Sequence, residues 1–220
     1  MKGKALAPTL LGLAVLMLIG TTVLAQDNTS TTITINGGRT TVQMKAPSKM
    51  VHNKIKPAVN PFYDSMSGGY DEGVGWTVSD GSPIDTEFTP GNQFISLKTG
   101  TTTEIKVGIG WVEGTYKEGI VVLDKDCNGV PCGTIDKTNL CSGRVYNLPT
   151  FGSSSVICRT MKCSAKLTKG TPYWVYVQGT NNSWVAWNLS TSALGGFIEG
   201  TNDVWGTPSS NASVGAMTIE

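Results

Sequence analysis

Asp124, Asp126 and Asn128 alternate along Asp124-Lys-Asp-Cys-Asn-Gly129. Side-chain oxygens at every second position, followed by a glycine, are what the first half of an EF-hand-type calcium loop requires: the oxygens converge on one cation and the glycine admits the sharp turn. The twelfth position, where a bidentate glutamate closes such a loop, is Ile135, and no helical pattern flanks the segment. A β-turn in which Asn128-Gly129 supplies left-handed backbone accounts for the same residues without a metal. The reading is of no cofactor, with calcium at Asp124, Asp126 and Asn128 as the alternative.

Other side chains with chemical potential are scattered. Six tryptophans (Trp76, Trp111, Trp174, Trp184, Trp187 and Trp205) all follow residue 62. Trp111 and Trp174 lie on strongly apolar segments and read as core, whereas Trp184 and Trp205 sit beside polar turns, where an exposed indole face could stack on a sugar ring. Nucleophilic catalysis would depend on His52, the single histidine, and Gly-x-Ser-x-Gly does not occur. Glu104, Glu113, Glu118 and Glu199 have no local context suggesting the paired carboxylates of a glycosidase. These observations favour a protein that is not an enzyme.

Five cysteines, Cys127, Cys132, Cys141, Cys158 and Cys163, are disulfide candidates with open connectivity. The spacings 127 to 132 and 158 to 163 could each close a small loop. Neither has the CxxC form of a zinc site, and His52 is distant. Disulfides suit an exported chain, and Lys2 and Lys4, the apolar run from Leu10 to Ile19 and the small-residue end Val23-Leu-Ala25 read as a signal peptide over residues 1–25, cleaved before Gln26. The expected location is secreted, extracellular or at the cell surface, with no stable membrane insertion after cleavage. Basic and acidic side chains number 17 and 16. So even a balance leaves no electrostatic footprint for nucleic acid; for an exported chain the expected partner is an extracellular protein or a glycan.

The elements that must position these residues are strands. Thr31 to Ile35 and Thr40 to Met44 flank Asn36-Gly-Gly-Arg39 as a hairpin. Residues 45–61 read as a linker, so 26–62 forms an N-terminal hairpin and linker and 63–220 the main domain. There, Ile105, Val107, Ile109 and Trp111 share one face of a strand. A turn is expected at Pro90-Gly91, and Gly170 to Gly179 with Trp184 to Asn188 reads as an aromatic hairpin. Ten or so short strands with 27 glycines in the chain predict an all-β, two-sheet antiparallel sandwich, jelly-roll-like.

Gly114-Thr115, the Asp-x-Asn-Gly-x-Pro pattern ending at Pro131, Leu148-Pro-Thr-Phe-Gly152, Gly170-Thr-Pro-Tyr-Trp174 and Trp187-Asn188 occur in an order that resembles the secreted bacterial choice-of-anchor β-sandwich domains, over roughly residues 69–220. The resemblance implies a sandwich fold and export, and no established enzymatic activity. The expected function is a secreted interaction or structural module, able to self-associate through strand edges or the odd cysteine. The alternative is a carbohydrate-binding module using Trp184 or Trp205; a glycan-active enzyme ranks third.

Overall fold

Large apolar side chains at alternate positions let a strand bury one face while neighbouring strands satisfy its backbone. In the computed structural model this alternation builds a two-sheet antiparallel sandwich. The structure describes residues 58–220 apart from 134–138, 153–157 and 202–203, together with the backbone of three upstream strands, and contains no helix among them. The upstream strands are β1 (Thr22–Leu24), β2 (Thr32–Asn36) and β3 (Arg39–Gln43). Then come β4 (Tyr63–Asp64), β5 (Tyr70–Asp80), β6 (Glu87–Ile95), β7 (Gly100–Thr101), β8 (Glu104–Gly114) and β9 (Gly119–Cys127). Next are β10 (Val130–Pro131), β11 (Cys141–Val145), β12 (Cys158–Lys162), β13 (Lys166–Leu167) and β14 (Pro172–Gln178). The series closes with β15 (Ser183–Thr201), β16 (Val204–Trp205), β17 (Ser209–Gly215) and β18 (Met217–Ile219).

The first sheet runs β12, β8, β15, β5, β3, β2, β1, with β18 and β4 beside the start of β8. The second runs β17, β15, β6, β14, β9, β11. β15 appears in both because it turns the corner between them. Val185 to Trp187 pair with β5 and β8, whereas Gly196 to Gly200 pair with β6. Between these halves lie register shifts and the small residues of Ser190-Thr-Ser-Ala-Leu-Gly-Gly196, where a strand can bend from one layer to the other.

The inner faces interdigitate. Ile105, Val107 and Ile109 of β8, Val185 and Trp187 of β15, and Trp76 and Val78 of β5 meet Val121 and Leu123 of β9 and Tyr173, Val175 and Val177 of β14 in one buried cluster. Trp76 stacks on Phe197 with ring centroids 3.9 Å apart, joining the two sheets where β15 has crossed.

Three local expectations change. β14 and β15 are not a hairpin: β14 pairs with β6 and β9, and the turn at 180–183 carries the chain across to the other sheet. Gly179 lies so close to β5 there that a Cβ would sit 2.3 Å from the Asp80 amide nitrogen. Pro90-Gly91 is continuous strand rather than a turn, since Pro90 lies one residue beyond the β14 ladder, where its missing N–H breaks no bond on that side. Cysteines 158 and 163 do not close a loop either: Cys158 begins β12 and Cys163 follows its end, so extended backbone holds them about 17 Å apart, beyond disulfide reach. Cys163 instead bonds Cys141, tying β11 to the segment after β12, while Cys127 and Cys132 close the local loop expected of them. The N-terminal hairpin forms, with Asn36 opposite Arg39, and β3 docks it on β5 through Arg39 to Thr41. His52 and Ile135 lie outside the described residues, as does the signal peptide except for β1.

Candidate functional site

Of the acidic and aromatic residues singled out in sequence, Asp124, Asp126, Trp174 and Trp205 converge on the outward face of the second sheet. Trp174 is in register with Asp124 on one side and Gln93 on the other, and Tyr176 with Val122 and Gly91, so all six share a face. Asp126, two residues beyond Asp124, joins them. Its Oδ1 accepts the Trp174 indole N–H and the Gln93 amide, each at 2.7 Å, and its Oδ2 accepts the Gly129 amide at 3.1 Å. Asp124 is buried, and its oxygens accept the amides of Lys125 and Gly133, both at 2.7 Å. Burial pushes its carboxyl above the usual carboxylate range, against the two amides that hold it down.

Trp205 completes the patch. Its ring meets the edge of Tyr176 with centroids 5.0 Å apart, and its indole N–H donates to the Gly133 carbonyl at 3.0 Å. Gly133 thus links Asp124 to Trp205 through its two backbone groups, and the Cys127–Cys132 disulfide ends one residue before it. Room for these rings depends on Gly91, where a Cβ would approach Ile198 Cγ2 to 3.0 Å and Tyr176 Cβ to 3.3 Å.

Asn128 and Gly129 both take positive φ, at 59° and 88°, between the paired residues Cys127 and Val130. That is the geometry of a type I′ hairpin turn, so Asn128 contributes its backbone here. The oxygens of Asp124 and Asp126 are engaged by protein donors. Among the described residues no group of three or more His, Cys, Asp or Glu side chains is placed to hold a metal.

Trp184 requires correction as an exposed sugar contact: its exposure is 1%. It lies on the opposite face of β15 from Val185 and Trp187, and the 149–151 segment covers it. Trp111 N–H donates to Pro149 O and Phe151 N–H to Trp111 O, both at 2.7 Å, which lays Phe151 over Trp184, Ala186 and Val112. Trp174 is buried as expected, though on the outward face of its sheet, whereas Trp111 is half-buried with the Lys117 ammonium 4.4 Å above its ring. The sequence reading missed Tyr116 and Tyr146, which are 52% and 55% exposed. They flank one junction at the end of the sandwich, where the Leu148 amide donates to Lys117 O. Their signal was position: each lies just outside a strand end, next to glycine, lysine or asparagine.

The scattered carboxylates stay scattered. Glu104 receives Lys162 at 2.6 Å and Lys106 at 2.9 Å; these hydrogen bonds hold its carboxyl below its ordinary range. Glu113 lies at the far end of the same strand, about 30 Å away. Glu118 pairs with Arg144 at 2.6 Å. Glu199 shares a strand face with Phe197 and is pushed up to about 8 by burial, opposed only by the Thr89 amide, while its Oε1 has no hydrogen-bond partner. The chain matches no model of a known protein family, and no curated protein sequence is similar to it.

Proposed function

We propose that this chain is a secreted, non-enzymatic β-sandwich that works outside the cell or at its surface as an interaction or structural module. The observation that carries the reading is the state of the Asp124, Asp126 and Trp174 cluster: groups that could bind a cation or a substrate are spent on holding β9, β14 and the 127–133 strap together. Two disulfides and the leader-like N-terminus support export. The resemblance to choice-of-anchor domains points the same way.

Half-buried Trp205 and exposed Tyr116 and Tyr146 favour the second reading, a glycan-binding module, because ring faces open to solvent can stack on sugars. The test is retention of the secreted protein on insoluble polysaccharides and cell-wall material, in calcium and then in chelator. The leading reading expects no retention on purified polysaccharide. Retention that Trp205→Ala or the pair Tyr116→Ala and Tyr146→Ala abolishes would replace it with the glycan module, and loss in chelator would restore the Asp124 loop as a calcium site.

A further inference from the structure

The hairpin docked on β5 ends the first sheet in an edge whose cover is the end of the leader. β1 pairs with β2 through Thr22 to Thr34, Val23 to Ile33 and Leu24 to Thr32. On β2's other side, Asn36 pairs with Arg39 across a two-residue connection, so that pair exchanges both backbone hydrogen bonds with β3. By alternation Thr34 and Thr32 also face β3, and the N–H and C=O groups of Ile33 and Ile35 point outward, to the side where β1 lies. Cleavage after Ala25 removes all of β1. Six residues, Gln26 to Thr31, then remain ahead of β2.

The uncovered edge also lacks the usual guards against pairing. Between Asp27 and Arg39 there is no charge and no proline, and β2 alternates threonine with isoleucine. The other edges are defended: β11 carries Arg144, β12 carries Arg159 and Lys162, and β17 runs beside β15 in broken register. We propose that removal of β1 turns β2 into a docking edge for a second copy of this chain, with the two β2 strands antiparallel about a twofold axis. Such an interface is self-complementary. Centred on Thr34, it sets Ile33 opposite Ile35 of the second copy and engages the outward amides and carbonyls of both. The proposal rests on the reading of a processed, exported module and names its partner.

The full chain is expressed with its leader in a secreting host, with Cys158→Ser to remove the cysteine left over from the two disulfides. Sedimentation of the processed protein should give twice the mass of one chain, and Ile33→Pro, which deletes an outward amide and no bond to β3, should return it to one. Thr34→Cys places two thiols across the axis at a non-hydrogen-bonded pair, a spacing that suits a disulfide, so oxidised glutathione should cross-link it. Ile35→Cys should cross-link at least tenfold less. A monomer at all concentrations, or association that Ile33→Pro leaves intact, overturns the edge. A secreted protein whose mass includes residues 1–25 overturns it through the processing reading instead, and mass spectrometry separates the two failures.

Discussion

Glu199 is the residue whose chemistry departs furthest from its type. Its carboxyl sits on the side of β15 that also holds Phe197, is pushed up to about 8 and leaves Oε1 without a partner, so at neutral pH the folded chain holds a proton that an unfolded glutamate, at 4.5, releases. Stability from this group is therefore full below about 4.5 and lost as pH rises towards about 8. Glu199→Gln should raise stability at pH 7.5 by on the order of 1–3 kcal/mol and flatten its pH dependence across that window, as read by urea unfolding at several pH values. Equal slopes for both proteins would show that the carboxyl does not titrate there. The two tryptophans chosen from sequence should separate as well. Trp184→Ala empties a buried site and should cost about 3–5 kcal/mol. Trp205→Ala loses one hydrogen bond and an edge-on ring contact, for about 1–2 kcal/mol. Denaturant midpoints distinguish them. Local sequence misled on Trp184 because its neighbours, Asn181-Asn-Ser183, are polar, while its cover, Phe151, comes from more than thirty residues upstream. Asp126 was legible as an acidic turn residue, but its acceptance of the Trp174 indole N–H depends on the register of β9 against β14, which no spacing within either strand encodes.

At the scale of elements, period-two patterning identified the strands well: Ile105, Val107 and Ile109 all face the core as read, and Asn36-Gly-Gly-Arg39 does join a hairpin. Pairing was harder to read. The polar turn after Gly179 has the composition of a hairpin loop, but the tight approach of Gly179 to the Asp80 backbone sends the chain to the opposite sheet. The small polar run from Ser190 likewise has the composition of a turn, whereas β15 continues through it round a corner. The two disulfides act on different elements. In the chain-entropy picture, the bond across five residues, Cys127 to Cys132, stabilises by about 2 kcal/mol and the bond across 22, Cys141 to Cys163, by about 3. Replacing Cys141 and Cys163 with serine should thus lower the thermal midpoint more than replacing Cys127 and Cys132. The reverse order would assign the 127–133 strap a larger part in packing, through Gly133, Asp124 and Trp205.

For the whole molecule, the sheets are closed by residues from the end of the chain. Phe62 N–H donates to Ile219 O at 2.7 Å, Ser65 Oγ donates to Gly215 O at 2.9 Å and accepts the Met217 amide at 3.0 Å, and Asp64 accepts Thr218 Oγ1 at 3.0 Å. Ending the chain after Gly215 should therefore abolish the cooperative unfolding transition, although it removes only Ala216 to Glu220; a truncated chain that still melts sharply would show the sandwich closed without β18. The corner strand extends this dependence in time. β15 is the fourth strand from the last, its partners β5, β6 and β8 are all made long before it, and each sheet needs one of its halves as an interior member. A chain emerging N-terminus first thus completes both sheets late, and folding dominated by such distant pairings is slow, in the millisecond to second range. Until residues 183–201 are free, β5, β6 and β8 each lack the partner that lies along one of their sides, so neither sheet closes across its middle before that stretch of chain is made.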